Sequence, residues 1–217
     1  SLTDKEKQSF SDLLTNVNGT KFISNDGNRI NLPKNFCIRL IKRKVKGHDR
    51  DSMYVTGVSG SGKSQFISDY LKEYKKEHPK NDIIVFSGVN VDEVLDKHKP
   101  IRIDLDGLID DPIDKIEELE NTCCIVDDTN SLVNANVRKE VMNLRDHLLE
   151  QGRHNNVTVL STSHIARDGN ATKYPIRDSR YLVAFPRGNS MQTESLLDGY
   201  FKQAKKNGIK EEILNTP

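Results

Sequence analysis

At 217 residues the chain is long enough for one α/β domain with a sizeable core, or for such a domain with a small appendage. Lysine plus arginine (33) nearly balances aspartate plus glutamate (32), so net charge does not announce a nucleic-acid binder, and any basic surface must come from local clustering. Three cysteines, two of them adjacent at Cys123 and Cys124, exclude a disulfide framework and a zinc pattern, and the lack of a long apolar run or signal peptide predicts a soluble chain in a reducing compartment.

Residues 1–20 are polar with a weak apolar stripe (Phe10, Leu13, Leu14) and read as a short helix. Lys21–Ile23 and Arg29–Leu32 flank a turn containing Asp26-Gly27, which is a hairpin signal. Phe36–Ile41 reads as a further strand, and the basic cluster Lys42, Arg43, Lys44, Lys46 behind it is either a solvated linker or a nucleic-acid contact.

Ser52–Thr56 reads as a short buried strand. It runs into Gly57-Val58-Ser59-Gly60-Ser61-Gly62-Lys63-Ser64, which fits G-x-x-x-x-G-K-[ST]. The glycines let the backbone turn its N–H groups inward as a nest for phosphate oxygens. Lys63 adds a cation, and the Ser64 hydroxyl is a Mg²⁺ ligand. Phe66, Ile67, Tyr70, Leu71 and Tyr74 follow at helical spacing, so the loop opens a helix whose positive end faces the same anion. Gly57, Ser59, Gly60, Ser61, Gly62, Lys63, Ser64 and Gln65 therefore form the candidate ATP-binding set.

After His78-Pro79, Asp82–Ser87 is apolar enough for a strand covered on both faces. Residues 88–112 are acidic and irregular, with a short helix near Glu93–Lys97 and a strand at Ile101–Ile103. Their aspartates lack calcium-loop spacing and read as a solvated face. Pro112 opens a predicted helix over Ile113–Glu120. The strand Thr122–Val126 then ends in Asp127-Asp128, the second half of an ATP site: Asp127 holds Mg²⁺ and Asp128 orients or deprotonates the attacking water.

Asn134–Gln151 predicts an amphipathic helix with Val137, Val141, Leu144 and Leu148 inward, Arg145 off that stripe, and Gly152 as its stop. Val157–Thr162 is the next strand. Ser161, Thr162, Ser163 and His164 at its end compete for the γ-phosphate sensor position; Ser163 and His164 join Lys63, Asp128 and Arg153 in the candidate catalytic set. Residues 165–178 read as a charged loop, Tyr181–Phe185 as a last core strand, and the segment with Leu196, Leu197, Tyr200 and Phe201 as a helix before a Lys-rich tail. The predicted division is a 1–50 appendage, a 51–201 core and a 202–217 tail.

Loop, Asp-Asp strand, helix, Gly152-Arg153-His154-Asn155, and a strand ending Thr162-Ser163-His164 follow in an order that resembles the FtsK–HerA superfamily of ATPases. Within it, the chain is similar to the poxvirus-type packaging ATPases of large DNA viruses, which carry Gly-Arg-His and an asparagine ahead of the sensor strand. The resemblance covers roughly residues 50–200. It implies a RecA/FtsK-like P-loop NTPase of the ASCE division: a largely parallel sheet with helices on both faces, here with a small N-terminal β appendage. It further implies ATP and Mg²⁺ as cofactors, double-stranded DNA as substrate, a homo-oligomeric ring (pentamer or hexamer), procapsid proteins as partners, and a place in the host cytoplasm, in a viral factory, or in the virion. Arg153 matches the arginine that reaches a neighbouring subunit's site; Arg187 is the second choice. Two departures stand out: Ser163-His164 where relatives usually carry glutamine, and Asp128 where many have glutamate. A HerA-like helicase, or a nucleotide-dependent switch without turnover, are the alternatives.

Overall fold

The computed structural model describes residues 38–41, 50–186 and 190–200, with the backbone alone at 38–41, 190 and 200. The predicted N-terminal helix and hairpin, the 42–46 basic cluster, Arg187 and the tail lysines (Lys202, Lys205, Lys206) lie outside the described residues. Among the described residues seven strands, β1 (Ile38–Ile41), β2 (Ser52–Thr56), β3 (Ile83–Ser87), β4 (Ile101–Arg102), β5 (Cys123–Asp127), β6 (Thr158–Ser163) and β7 (Tyr181–Ala184), lie in the order β1-β7-β2-β6-β5-β3-β4. β2 to β7 are mutually parallel, and β1 adds antiparallel to β7 at one edge. Four α-helices accompany them among the described residues: α1 (Lys63–Glu77), α2 (Ala135–Gln151), α3 (Lys173–Asp178) and α4 (Ser190–Tyr200).

Side-chain alternation along the strands places helices on both faces. Ile83, Val85, Cys123, Ile125 and Leu160 pack with Ile67, Leu71 and Tyr74 of α1. Their neighbours Ile84, Phe86, Cys124, Val126 and Val159 pack with Val137, Val141, Leu144 and Leu148 of α2. Near-continuous apolar runs are what a strand covered on both faces requires. This is the α/β architecture expected from the sequence, and both described cysteines are core residues.

Three local expectations need correction. Ile113–Glu120 forms only a 3₁₀ turn at Ile116–Leu119, because its buried anchors Ile116 and Leu119 stand three apart, the 3₁₀ repeat. The loop 165–178 contains α3, with Pro175 in its first turn, where a missing N–H costs nothing. Arg145 is buried, not surface: its guanidinium lies 2.7 Å from Asp146 and donates to the Ala171 carbonyl at 2.9 Å, tying α2 to the α3 approach. Gly152 does stop α2, as expected, and does so at φ −55, without a left-handed turn. A Cβ there would meet Arg50 Nη1 at 2.9 Å, so the glycine makes room for Arg50, which donates to the Leu148, Leu149 and Val157 carbonyls and closes the helix end.

Candidate nucleotide site

Parallel strands bring the ends of β2, β5, β6 and β3 to one edge of the sheet, and the site is built there. Residues 57–62 leave β2 and turn into α1. Gly60 (φ 72) and Gly62 (φ 107) hold left-handed angles that favour glycine. A Cβ on Gly57 would meet Ser61 Oγ at 2.6 Å and Phe185 Cβ at 2.8 Å. Phe185, buried just past β7 and hydrogen-bonded through its N–H to the Thr56 carbonyl at 2.9 Å, is thus the platform under the loop. α1 starts at Gly62 with no side-chain cap and no acid in its first turn, which leaves its N-terminal N–H groups to an anion.

Lys63 is buried, and its Nζ donates to the Gly57 carbonyl at 2.7 Å and the Val58 carbonyl at 3.1 Å. Burial pushes its pKa down, opposed by the charges of Asp127 and Asp128. Asp127 ends β5. Its Oδ2 accepts from Ser87 Oγ at 3.0 Å and its Oδ1 from Thr162 Oγ1 at 2.5 Å. The same Thr162 oxygen accepts the Asp128 N–H at 3.1 Å. Asp128 sits at φ 42, a left-handed angle that aspartate tolerates better than most residues, and its carboxylate lies 2.9 Å from His164 Nε2. His164 Nδ1 is 3.2 Å from Lys63 Nζ.

Lys63, Asp127, Asp128 and His164 therefore come together. Ser163 does not join them: its Oγ accepts the Ile165 N–H at 3.1 Å, and its carbonyl accepts the Gly57 N–H at 3.2 Å, pinning the loop. Thr162 and His164 share Leu160's face of β6, the α1 and loop side, whereas Ser161 and Ser163 share Val159's. Among the four candidates at this strand end, the pleat thus brings Thr162 and His164 to the acids. Ser87 and Phe185 were missed by sequence reasoning. Both sit at or just past the C-terminal end of a parallel strand, the signal that would have found them.

Arg153 lies elsewhere. It is exposed in a 3₁₀ turn (Gly152–Asn155) before β6, with Nε 3.4 Å from His154 Nε2. The Asn155 carbonyl accepts the Asn121 N–H at 2.9 Å, which ties this turn to the start of β5. Asp127 is at that strand's other end, about 15 Å away at about 3.3 Å per residue.

A central strand (β2), a glycine loop entering a helix, and a strand closed by acids (β5) one place beyond the intervening β6 define the P-loop NTPase fold. Two solved structures share that fold: the genome-packaging NTPase B204 of Sulfolobus turreted icosahedral virus 2 in complex with sulfate (TM-score 0.52, 15% identity, 77% of this chain and 87% of that one), and the pCW3 conjugation coupling protein TcpA with ATPγS (TM-score 0.51, 13% identity, 76% of this chain and 58% of that one). In sequence, the chain is 31% identical over 159 residues to the uncharacterized protein V3 of Sputnik virophage, covering 72% of this chain and 64% of the relative's length. No family model matches the chain.

Proposed function

We propose that the chain is a Mg²⁺-dependent ATPase that translocates double-stranded DNA, and specifically a viral packaging ATPase of the poxvirus-type group acting as a homo-oligomeric ring. The convergence of Lys63, Asp127 and Asp128 at one sheet edge carries the ATPase part. The fold shared with a genome-packaging NTPase and a conjugation coupling protein supports DNA as the substrate, and the virophage relative supports a viral origin.

In this reading the N–H groups of residues 59–65 and the Lys63 ammonium hold the phosphates, and Asp128 orients the attacking water. Ser64 and Asp127 would hold the metal. The donor set fits Mg²⁺: both are hard oxygen ligands, and Asp127, with about four lone-pair positions, gives up two to Ser87 and Thr162. Among the described residues no cluster of three or more His, Cys, Asp or Glu could hold a metal, so phosphate and water oxygens would complete the shell. Mg²⁺, when bound, neutralises charge on the β- and γ-phosphate oxygens.

Arg153 would act on a neighbour's site. The division into a 1–50 appendage, a core and a tail belongs to the same proposal, with β1 and Arg50 as the described parts of the first segment. Procapsid proteins are the proposed partners, and the factory or virion the proposed place. Among the described residues no helix is long and apolar enough to cross a membrane.

Phosphate release from ATP, with and without double-stranded DNA across a salt series, tests the proposal, with Lys63→Ala as the blank. DNA should stimulate turnover, and its binding should weaken log-linearly with salt as basic side chains release counterions. Turnover in Lys63→Ala equal to native removes the ATPase reading; turnover indifferent to DNA at every salt removes the translocase.

A further inference from the structure

We propose that His164 is a positioning residue that makes the freedom of Asp128 depend on what Lys63 holds, a role that rests on the ATPase reading above. Three acceptors surround Lys63 Nζ: the Gly57 carbonyl at 2.7 Å, the Val58 carbonyl at 3.1 Å and His164 Nδ1 at 3.2 Å. An ammonium has three N–H donors and no lone pair. All three protons are therefore spent, and Nδ1 must accept. The ring proton then stands on Nε2, which donates to Asp128 Oδ2 at 2.9 Å. Lys63 thus selects the tautomer, and the tautomer fixes the acid.

A phosphate oxygen that takes a proton from Lys63 must displace one of these partners. The two carbonyls belong to the loop backbone, and the Gly57 N–H is itself bonded to the Ser163 carbonyl. The imidazole makes the longest of the three bonds, and its side chain is 42% exposed, so it is the partner free to yield. Once it yields, Nδ1 loses its donor, the tautomer is no longer imposed, and the hold on Asp128 relaxes. The acid becomes free to take a water when phosphate sits on the loop. The coupling runs through one side chain. Glutamine can make the same pair of bonds, accepting through its carbonyl and donating through its amide.

Two measurements on the full chain test this. Nitrogen NMR of ¹⁵N-histidine protein, with the His164 signals assigned through His164→Gln, should show an acceptor Nδ1 and a protonated Nε2. Lys63→Ala, or addition of a non-hydrolysable ATP analogue with Mg²⁺, should erase that bias. In calorimetry His164→Ala should bind a non-hydrolysable ATP analogue about two- to tenfold more tightly, because phosphate no longer has to displace the imidazole from Lys63. His164→Gln, which can compete for Lys63 in the same way, should return affinity toward native, and the space-filling His164→Phe should not. Unchanged affinity in His164→Ala, equal return by Phe and Gln, or a tautomer indifferent to Lys63→Ala overturns the coupling. If the native chain neither binds nor hydrolyses ATP, the ATPase reading fails and takes the coupling with it; a native chain that turns over while His164→Ala binds the analogue no more tightly refutes the coupling alone.

Discussion

Replacing Thr162 with valine keeps the branched shape and removes one oxygen. That oxygen donates to Asp127 Oδ1 and accepts the Asp128 N–H. Thr162 is 3% exposed, so water cannot take its place. Leaving a buried N–H unpaired costs about 1–3 kcal/mol, and a hydrogen bond to an ionised group contributes about 1.5–3 kcal/mol. The two share one atom, and Asp127 keeps Ser87 and some solvent, so they do not add fully. The expected loss is about 2–4 kcal/mol. Ser87→Ala is the internal control: its hydroxyl donates to Asp127 Oδ2 and accepts the Val89 N–H at 3.1 Å, at a half-buried position where water can replace it, so about 1 kcal/mol. Urea unfolding reads both as shifts in midpoint at constant slope. Turnover of Thr162→Val should also fall, because its bond holds Asp128 at its left-handed angle. If Thr162→Val stays within about 0.5 kcal/mol of native, the level of an inert surface change, the hydroxyl does not organise the two acids. If it matches Ser87→Ala, the Asp128 N–H is not what sets the cost.

Three further outcomes are expected. Asp128→Asn should bind ATP and hydrolyse it about 10²–10⁴ times more slowly in a single turnover, and a native rate would remove Asp128 as the water-orienting acid. Phe185→Ala should lose about 3–5 kcal/mol in thermal melting and weaken ATP binding in calorimetry; lost stability with unchanged affinity would show that Phe185 is a core residue and no platform for the loop. Arg153→Ala should keep ATP affinity, lose about 10³–10⁵ in rate, and regain part of it when mixed with Lys63→Ala in rings that exchange subunits; near-native activity would return Arg153 to a helix-end role.

The parallel core was legible because its strands carry apolar residues on both faces and its helices carry 3.6-residue stripes. The sequence signals placed β2 and α1 to within a residue or two, since a glycine loop leaves little choice of boundary. The orientation of β6 was not legible. A strand buried on both faces shows no polar-apolar alternation, so nothing local says whether Thr162 or Ser163 faces the acids; the pairing of Leu160 with the α1 face decides it. Arg145 was misread because a guanidinium off the apolar stripe normally meets water, and its partners, Asp146 beside it and the Ala171 carbonyl, are set by the path of the 165–172 segment. Arg50 was invisible for the same reason: its three acceptors lie about a hundred residues away in sequence.

The charge balance of the proposed site leaves a place for a further cation. Asp127 and Asp128 bring two negative groups against one Lys63, and hydrolysis adds charge at the γ-phosphate. Among the described residues, three other arginines are engaged. Arg145 is buried against Asp146 and the Ala171 carbonyl. Arg167, on the same sheet edge as the loop, donates to Ser195 Oγ on α4 at 3.0 Å. Arg50 closes the end of α2 at the far edge, and its pKa is lowered to about 10 by burial and then by the charge of Arg153. Arg153 is exposed, touches its own neighbour His154, and stands at the end of β5 opposite the acids. It cannot serve its own chain's phosphates across that distance. If it serves any, one chain's far edge must meet another chain's site edge. Such head-to-tail contact is heterologous and closes as a ring or propagates as a filament. The mass of the particle with ATP analogue and DNA present therefore bears on this one side chain: a ring-sized mass supports the assignment, and a fully active monomer rules it out.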